Sequence, residues 1–261
     1  MERNKLLNSV RRVIIKLGTP VLTTEDNRLD TSRMEELVEQ FVWLRQKGIQ
    51  LAIVSSGAIV AGMKSLGLRT KPRTLAQLQA AASVGQSQLM RVYERLFKER
   101  GFVVGQILLT KDALIEKQRY LNVRNTFSSL FSFGVIPIIN ENDSVAVDEI
   151  KFGDNDTLSA LVANLVEADL LIILSDIDGF YADYPSNGKL LFDVKEISPE
   201  IEKLARRTNS SKSIGGMVTK IKAAKTVTKK GKMMLIANGK RTGIIKEIFA
   251  GKKVGTIFLP K

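Results

Sequence analysis

The segment Gly153-Asp154-Asn155-Asp156-Thr157-Leu158-Ser159-Ala160 sets two acids and an amide on a glycine turn that opens an apolar helix. Behind the turn, Leu158, Leu161, Val162, Leu165 and Val166 repeat at helical spacing, so one face is buried and the polar end is held in place. Asp154 or Asn155 can cap the exposed backbone N–H groups while the other side chains project past the helix end. Capping accounts for any one of these acids taken alone. A second polar cluster, Asn140-Glu141-Asn142-Asp143-Ser144, lies a few residues upstream, after the strand-like run Val135-Ile136-Pro137-Ile138-Ile139. Two such clusters flanking one short excursion point to a pocket.

Lys16 closes the run Val13-Ile14-Ile15 and precedes Leu17-Gly18-Thr19. An ammonium at the end of a buried strand needs a counter-charge, whereas on an exposed edge it would need none. Phosphate binding calls for clustered backbone N–H groups, and neither the Walker A pattern nor the dinucleotide glycine fingerprint is present. Two turns could supply such groups. Ser56-Gly57-Ala58 stands between a strand and the helical Ile59-Val60-Ala61-Gly62-Met63. Ser213-Ile214-Gly215-Gly216-Met217-Val218-Thr219-Lys220 puts paired glycines before another helix, with Lys220 in its first turn. A plain turn explains either one equally well.

Composition narrows the chemistry. The chain has 261 residues, enough for one large α/β domain or two modest ones, and contains neither cysteine nor histidine. Disulfides, thiolate nucleophiles, Ser-His-Asp triads and zinc sites built on Cys or His are excluded. What is left is carboxylates, lysines, hydroxyls, backbone amides and a metal carried in by a substrate. No apolar run approaches the roughly 20 residues of a membrane span, so a cytoplasmic protein with no membrane partner is expected. The net charge of +13 is uneven: from Lys212 to Lys261 thirteen basic residues face only Glu247, a net +12. With little aromatic interleaving, that lobe suits a nucleoside triphosphate better than nucleic acid.

These groups need a scaffold. Strand-like runs recur at Arg12 to Leu17, Gln50 to Ser55, Val103 to Leu109, Val135 to Asn140, Leu170 to Ser175 and Met233 to Ala237, separated by amphipathic helical stretches. The alternation predicts a mostly parallel sheet covered on both faces. Four of the strands run into Gly18-Thr19, Ser56-Gly57, Asn140 to Asp143 and Ser175-Asp176, and in open α/β sheets such turns share the ligand-binding rim. The polar stretch Arg206 to Ser213 is the candidate junction between an acceptor half and a basic nucleotide half.

Taken in order, Ile14 to Thr19, Ile53 to Ala58, Ile139 to Asp143, Gly153 to Asp156, Ser175-Asp176 and Gly215 to Lys220 resemble the amino acid kinase family, with Ser83 to Gln86, Gly105 to Thr110 and Arg119 to Asn122 in support. Within it the chain looks like the members that phosphorylate glutamate. The resemblance runs from about Arg12 to Leu259, and its most specific part is the pair Ile139 to Asp143 and Gly153 to Asp156. It implies a three-layer αβα sandwich over residues 1–261, with glutamate held by about 1–170 and the nucleotide by about 171–261. It carries over Lys16 and Lys220 as phosphoryl-stabilising lysines and Asp156 as the carboxylate that positions them. It assigns Ser56, Gly57, Asn140, Asp143 and Asn155 to glutamate. It gives Lys16, Ser175, Asp176, Ile214, Gly215, Gly216, Met217, Val218, Thr219 and Lys220 to the nucleotide, and no protein side chain to a metal.

The implied reaction moves the γ-phosphoryl group of ATP, with Mg²⁺, onto the side-chain carboxylate of L-glutamate. A homo-oligomer and feedback inhibition by proline are also expected. The chain departs from the family pattern at Pro20, where a small residue such as Ser is usual, and at Ile214, which costs a hydroxyl near the phosphates. It stops at Leu259-Pro260-Lys261, without the C-terminal PUA domain of many relatives, as either a short form, the expectation here, or a truncated chain would. A sister kinase acting on N-acetylglutamate, aspartate or a nucleoside monophosphate would share the lysines and differ around Asp143. A nucleic-acid-binding module would use the basic lobe but leave the acidic clusters idle.

Overall fold

The structure, a computed structural model, describes residues 3–110, 112–146, 155–182, 188–207 and 216–260. Its strands are β1 (Arg12–Leu17), β2 (Gln50–Ser55), β3 (Val104–Leu109), β4 (Ile136–Glu141), β5 (Leu170–Ser175), β6 (Phe180–Tyr181), β7 (Leu190–Leu191), β8 (Asp193–Val194), β9 (Met233–Asn238) and β10 (Thr256–Phe258). Its helices are α1 (Arg3–Asn8), α2 (Thr19–Leu22), α3 (Thr31–Gln46), α4 (Ala58–Ser65), α5 (Leu75–Lys98), α6 (Lys117–Ser132), α7 (Asn155–Leu165), α8 (Pro199–Arg207), α9 (Met217–Thr228) and α10 (Ile244–Phe249). The six apolar runs of the sequence are β1 to β5 and β9, nearly residue for residue. Strands β6, β7, β8 and β10 are two or three residues long, too short to show a period of two.

Among the described residues one sheet runs β3-β4-β2-β1-β5-β9-β10-β8. Every neighbouring pair is parallel except β9 with β10. The β2–β4 ladder is short, pairing Ile53 with Ile138 and Val54 with Ile139. Pro137 has no N–H to donate, which limits pairing in that strand.

Alternate side chains of the strands point to opposite faces, and both faces are apolar. Val13, Ile15, Leu51 and Ile53 pack with Phe41 of α3, Tyr93 and Phe97 of α5 and Ile248 of α10. Ile14, Ala52, Val54 and Ile173 pack with Phe127 of α6, Leu158 and Val162 of α7 and Ala224 of α9. The result is the three-layer αβα sandwich expected. The same parity sends Lys16, two residues after Ile14, to the α7 and α9 face. Ser55, in step with Ile53, goes to the other, where its hydroxyl meets the buried Tyr93 hydroxyl at 2.8 Å.

Two tight contacts fix the helices around the rim. Gly57 turns the chain from β2 into α4 with φ of 103°, a left-handed conformation that glycine adopts without steric cost. Helices α4 and α5 then cross backbone against backbone: a Cβ on Gly85 would lie 1.7 Å from the Ala58 carbonyl oxygen, and one on Gly62 1.8 Å from that of Ala81. Toward the edge strand β8, Arg3 of α1 is buried and donates to the carbonyls of Phe192, Lys252, Val254 and Gly255 and to the Asp193 carboxylate. One guanidinium thereby ties the first helix to the distal edge of the sheet.

Candidate active site

The carboxyl ends of β1, β2, β4, β5 and β9 lie on one rim, and the strand order reverses at β1, which has β2 on one side and β5 on the other. That switch point is where open α/β sheets leave a crevice. Leu17 is level with Ser55 and with Leu174, and Ser175 with Asn238. Backbone bonds continue past the strand ends, from Ser56 N to Leu17 O at 3.2 Å, Gly18 N to Leu174 O at 3.0 Å and Gly239 N to Ser175 O at 2.7 Å. The turns after β1, β2 and β5 are therefore stitched together. Pro20 falls in the first turn of α2, where a missing N–H costs nothing.

Lys16, Asp156 and Lys220, far apart in sequence, meet beneath this rim. Asp156 is fully buried in the first turn of α7 and Lys220 is 4% exposed in the first turn of α9. Each sits on its helix's core-facing stripe. Asp156 Oδ1 lies 2.7 Å from Lys16 Nζ, a close ion pair poorly aligned as a hydrogen bond. Its Oδ2 accepts from Lys220 Nζ at 3.1 Å and from Thr219 Oγ1 at 2.9 Å. Burial alone would raise the Asp156 pKa; the Lys16 and Lys220 cations, with the Thr219 hydrogen bond, hold it below the usual carboxylate range. Both ammonium groups and the carboxylate they share are buried, so these charges are largely withheld from water. Beside them, α9 begins at Gly216, a residue with no side chain to cap the first backbone N–H groups. Buried lysines next to a helix N-terminus are suited to a phosphate.

A neutral network lies next to it. Asn155 Nδ2 is 2.9 Å from Asn140 Oδ1, 3.0 Å from Ser56 Oγ and 3.3 Å from the Ser55 carbonyl. Asn140 Nδ2 donates in turn to Gln86 Oε1 at 2.9 Å. The turn bearing Asp143 is held against α5 by Gln79 Nε2 to Ala146 O at 3.0 Å and by the Ser83 and Ser144 hydroxyls at 2.8 Å. Sequence reasoning quoted Ser83 and Gln86 as part of a motif and gave neither a role. Their spacing with Gln79 on one helix face was the signal available. On the other side of the crevice, Ser175 Oγ donates to Asp176 Oδ1 at 3.1 Å, with Ser175 buried and Asp176 exposed. Gly216, Met217, Val218 and Thr219 form the start of α9. Gly153, Asp154, Ile214, Gly215 and most of the Arg206 to Ser213 junction lie outside the described residues.

The basic lobe divides in two. Lys220 faces Asp156, whereas Lys222, Lys225 and Lys229 lie on the roughly opposite side of α9 and line a cleft of 350 Å³ with Thr157 and Thr226. Charge concentration alone did not separate the lysine in the site from its neighbours outside it.

The model of the amino acid kinase family matches residues 11–238. A glutamate 5-kinase of Geobacter sulfurreducens is 51% identical over 99% of this chain and 70% of its own length. A glutamate 5-kinase of Clostridium acetobutylicum is 48% identical over 99% of this chain and 98% of its own. Among solved structures, carbamate kinase from Giardia lamblia bound to AMP-PNP superposes with a TM-score of 0.68 at 18% identity, covering 97% of this chain and 99% of that one. UMP kinase from Bacillus anthracis gives 0.62 at 14% identity, over 96% of each chain. The structural likenesses establish the fold; together with the family match and the close relatives, they place this chain in the amino acid kinase family.

Proposed function

We propose that the chain transfers the γ-phosphoryl group of ATP to the side-chain carboxylate of L-glutamate, giving ADP and L-glutamyl 5-phosphate, the first step toward proline. The observation that carries this is the pair of buried lysines sharing one carboxylate at the sheet's switch point. The chain around them is 51% and 48% identical to glutamate 5-kinases over nearly its whole length.

The chemistry suits a chain without histidine. A glutamate side chain, with a pKa near ~4.3, is already ionised at neutral pH and needs no general base. The barrier is repulsion between that carboxylate and the γ-phosphate, plus charge moving onto the leaving oxygen. A carboxylate oxygen attacks phosphorus, the bond to the β,γ-bridging oxygen breaks, and its electron pair departs on ADP. Lys16 at the end of β1 and Lys220 at the start of α9 stabilise that charge, while Asp156 holds both ammonium groups in place. Ser56, Gly57, Asn140, Asp143 and Asn155 receive the amino acid. Ser175, Asp176 and the segment from Ile214 to Lys220 receive the nucleotide.

Bound Mg²⁺ would neutralise phosphate charge. Among the described residues no three acids cluster to cage an ion, and both Asp156 oxygens already face lysines. In this proposal the ion would arrive with ATP and be held through phosphate oxygens and water. Residues 1–170 as the acceptor half, residues 171–261 as the nucleotide half, a homo-oligomer, inhibition by proline and a cytoplasmic location belong to the same proposal. No described helix is long and apolar enough to cross a membrane.

The test is ADP release measured across L-glutamate, N-acetylglutamate, aspartate and a nucleoside monophosphate, with nucleic-acid retention at physiological salt as control. Turnover confined to another acceptor would favour a sister kinase. Saturable RNA binding without ATP turnover would overturn the enzyme assignment.

A further inference from the structure

One buried group is left unexplained by the site as assigned. Gln86 Nε2 is buried and has no hydrogen-bond partner among the described residues. An orphaned donor is costly, so what Gln86 contributes must come from its other end. That end, Oε1, accepts from Asn140 Nδ2.

The Ser55 carbonyl can only accept, so Asn155 must present its NH₂ group toward it, toward Asn140 Oδ1 and toward Ser56 Oγ. Asn140, 4% exposed, then has to turn its own NH₂ group away, and Gln86 Oε1 is the acceptor that receives it. Donors and acceptors thus run in one direction through three amides. Two features follow. Ser56 Oγ accepts from Asn155, leaving its hydrogen to donate elsewhere. Asn155 Oδ1 accepts no hydrogen bond from the described residues. An α-amino acid head group carries a carboxylate that needs donors and an ammonium that needs acceptors, and the pocket offers one of each.

We infer that Gln86 is a positioning residue for the amino-acid substrate: as terminal acceptor it fixes the direction of the Asn140–Asn155–Ser56 chain. The inference rests on the acceptor assignment proposed above. Without that acceptor, the Asn140 NH₂ group is buried and orphaned; relief comes by turning the amide, which removes an acceptor from Asn155 and loosens both pocket groups. Helix α5 is placed for the task, because Gln79, Ser83 and Gln86 recur at i, i+4 and i+7 on one face and all three contact β4 or the turn after it. Gly85, next to Gln86 in sequence but about 100° round the helix, packs α5 tightly against α4 and so fixes how the face bearing Gln79, Ser83 and Gln86 is turned.

Two variants separate positioning from packing. Gln86→Met keeps the shape and removes the acceptor; Gln86→Glu keeps acceptor oxygens, removes the orphaned donor and adds a buried charge. Gln86→Met is expected to raise KM for L-glutamate by about tenfold, with KM for ATP and Tm close to wild type. Gln86→Glu is expected to bring KM for L-glutamate back to within about threefold of wild type even where Tm falls. A merely structural role gives the reverse ordering, since Met would be tolerated and Glu would not. An unchanged KM for L-glutamate in Gln86→Met, an equal rise in KM for ATP, or KM following Tm in both variants overturns the inference and leaves the acceptor assignment standing. If wild type does not phosphorylate L-glutamate, the acceptor assignment fails and this inference with it.

Discussion

Asp156 with Lys16, Lys220 and Thr219 forms a charged knot at the N-terminal ends of α7 and α9, whereas Ser56, Asn140, Asn155 and Gln86 form a neutral chain beside α4 and α5. The two differ in how they tolerate error. Coulomb attraction falls slowly with distance, so the Lys16 contact can be poorly aligned and still hold. An amide chain works by direction, and a hydrogen bond weakens steeply with misalignment. The neutral side therefore leans on the backbone crossing of α4 and α5, where Gly85 meets the Ala58 carbonyl and Gly62 that of Ala81. On the charged side, helix ends and counter-charges suffice.

Removing charge should have the largest effect. Lys16→Ala and Lys220→Ala are each expected to lower kcat by about 10²–10³, because each ammonium acts mainly on charge that develops during transfer. Steady-state kinetics on folded protein decide it, and a near-normal kcat would remove that lysine from the site. Next comes the backbone contact. Gly85→Ala forces a Cβ into the Ala58 carbonyl and should cost about 3 kcal/mol, read by urea unfolding. In whatever fraction stays folded, KM should rise for L-glutamate and not for ATP; unchanged stability would mean that the two helices part freely.

Acceptor choice sharpens the contrast further. Free glutamate carries an α-ammonium that needs a carboxylate in a pocket of low dielectric, and Asp143 is the assigned partner. Wild type should prefer glutamate over N-acetylglutamate by at least ~10² in kcat/KM, and Asp143→Asn should lose most glutamate activity while ATP affinity survives. Comparable use of both acceptors would take that role from Asp143.

The smallest effect is expected in pH. Because its neighbours hold Asp156 below the ordinary range, the ionised group adds stability above its unfolded pKa of ~3.9, and that contribution is lost as pH falls through the lower folded value. Urea unfolding of wild type should therefore weaken below about pH 4, with a shallower slope in Asp156→Asn. Equal slopes would mean that the two lysines do not hold this carboxylate.

The charged knot was more legible in the sequence than the neutral chain, for physical reasons. A lysine ending an apolar strand announces that it needs a partner, and an acid at a helix start is a restricted set of candidates. Gln79, Ser83 and Gln86, by contrast, resemble a solvated helix face, since nothing in a glutamine tells which end of its amide is satisfied. Gly62 and Gly85 look like isolated helical glycines until the helices are seen to cross there. The long central strands were read from their apolar runs. Strand β10, three residues in length and antiparallel, is specified by its neighbour β9 and not by its own pattern.

The Arg3 clamp bears on the order in which the molecule is made. Its carbonyl partners at Lys252 and Gly255 lie 249 and 252 residues away, so α1 is made long before the residues it docks against. The lysine of α9 likewise arrives 64 residues after the acid it joins. A nascent chain can pair β1 with β2 early, but it cannot bring the three charged groups together until α9 has been synthesised.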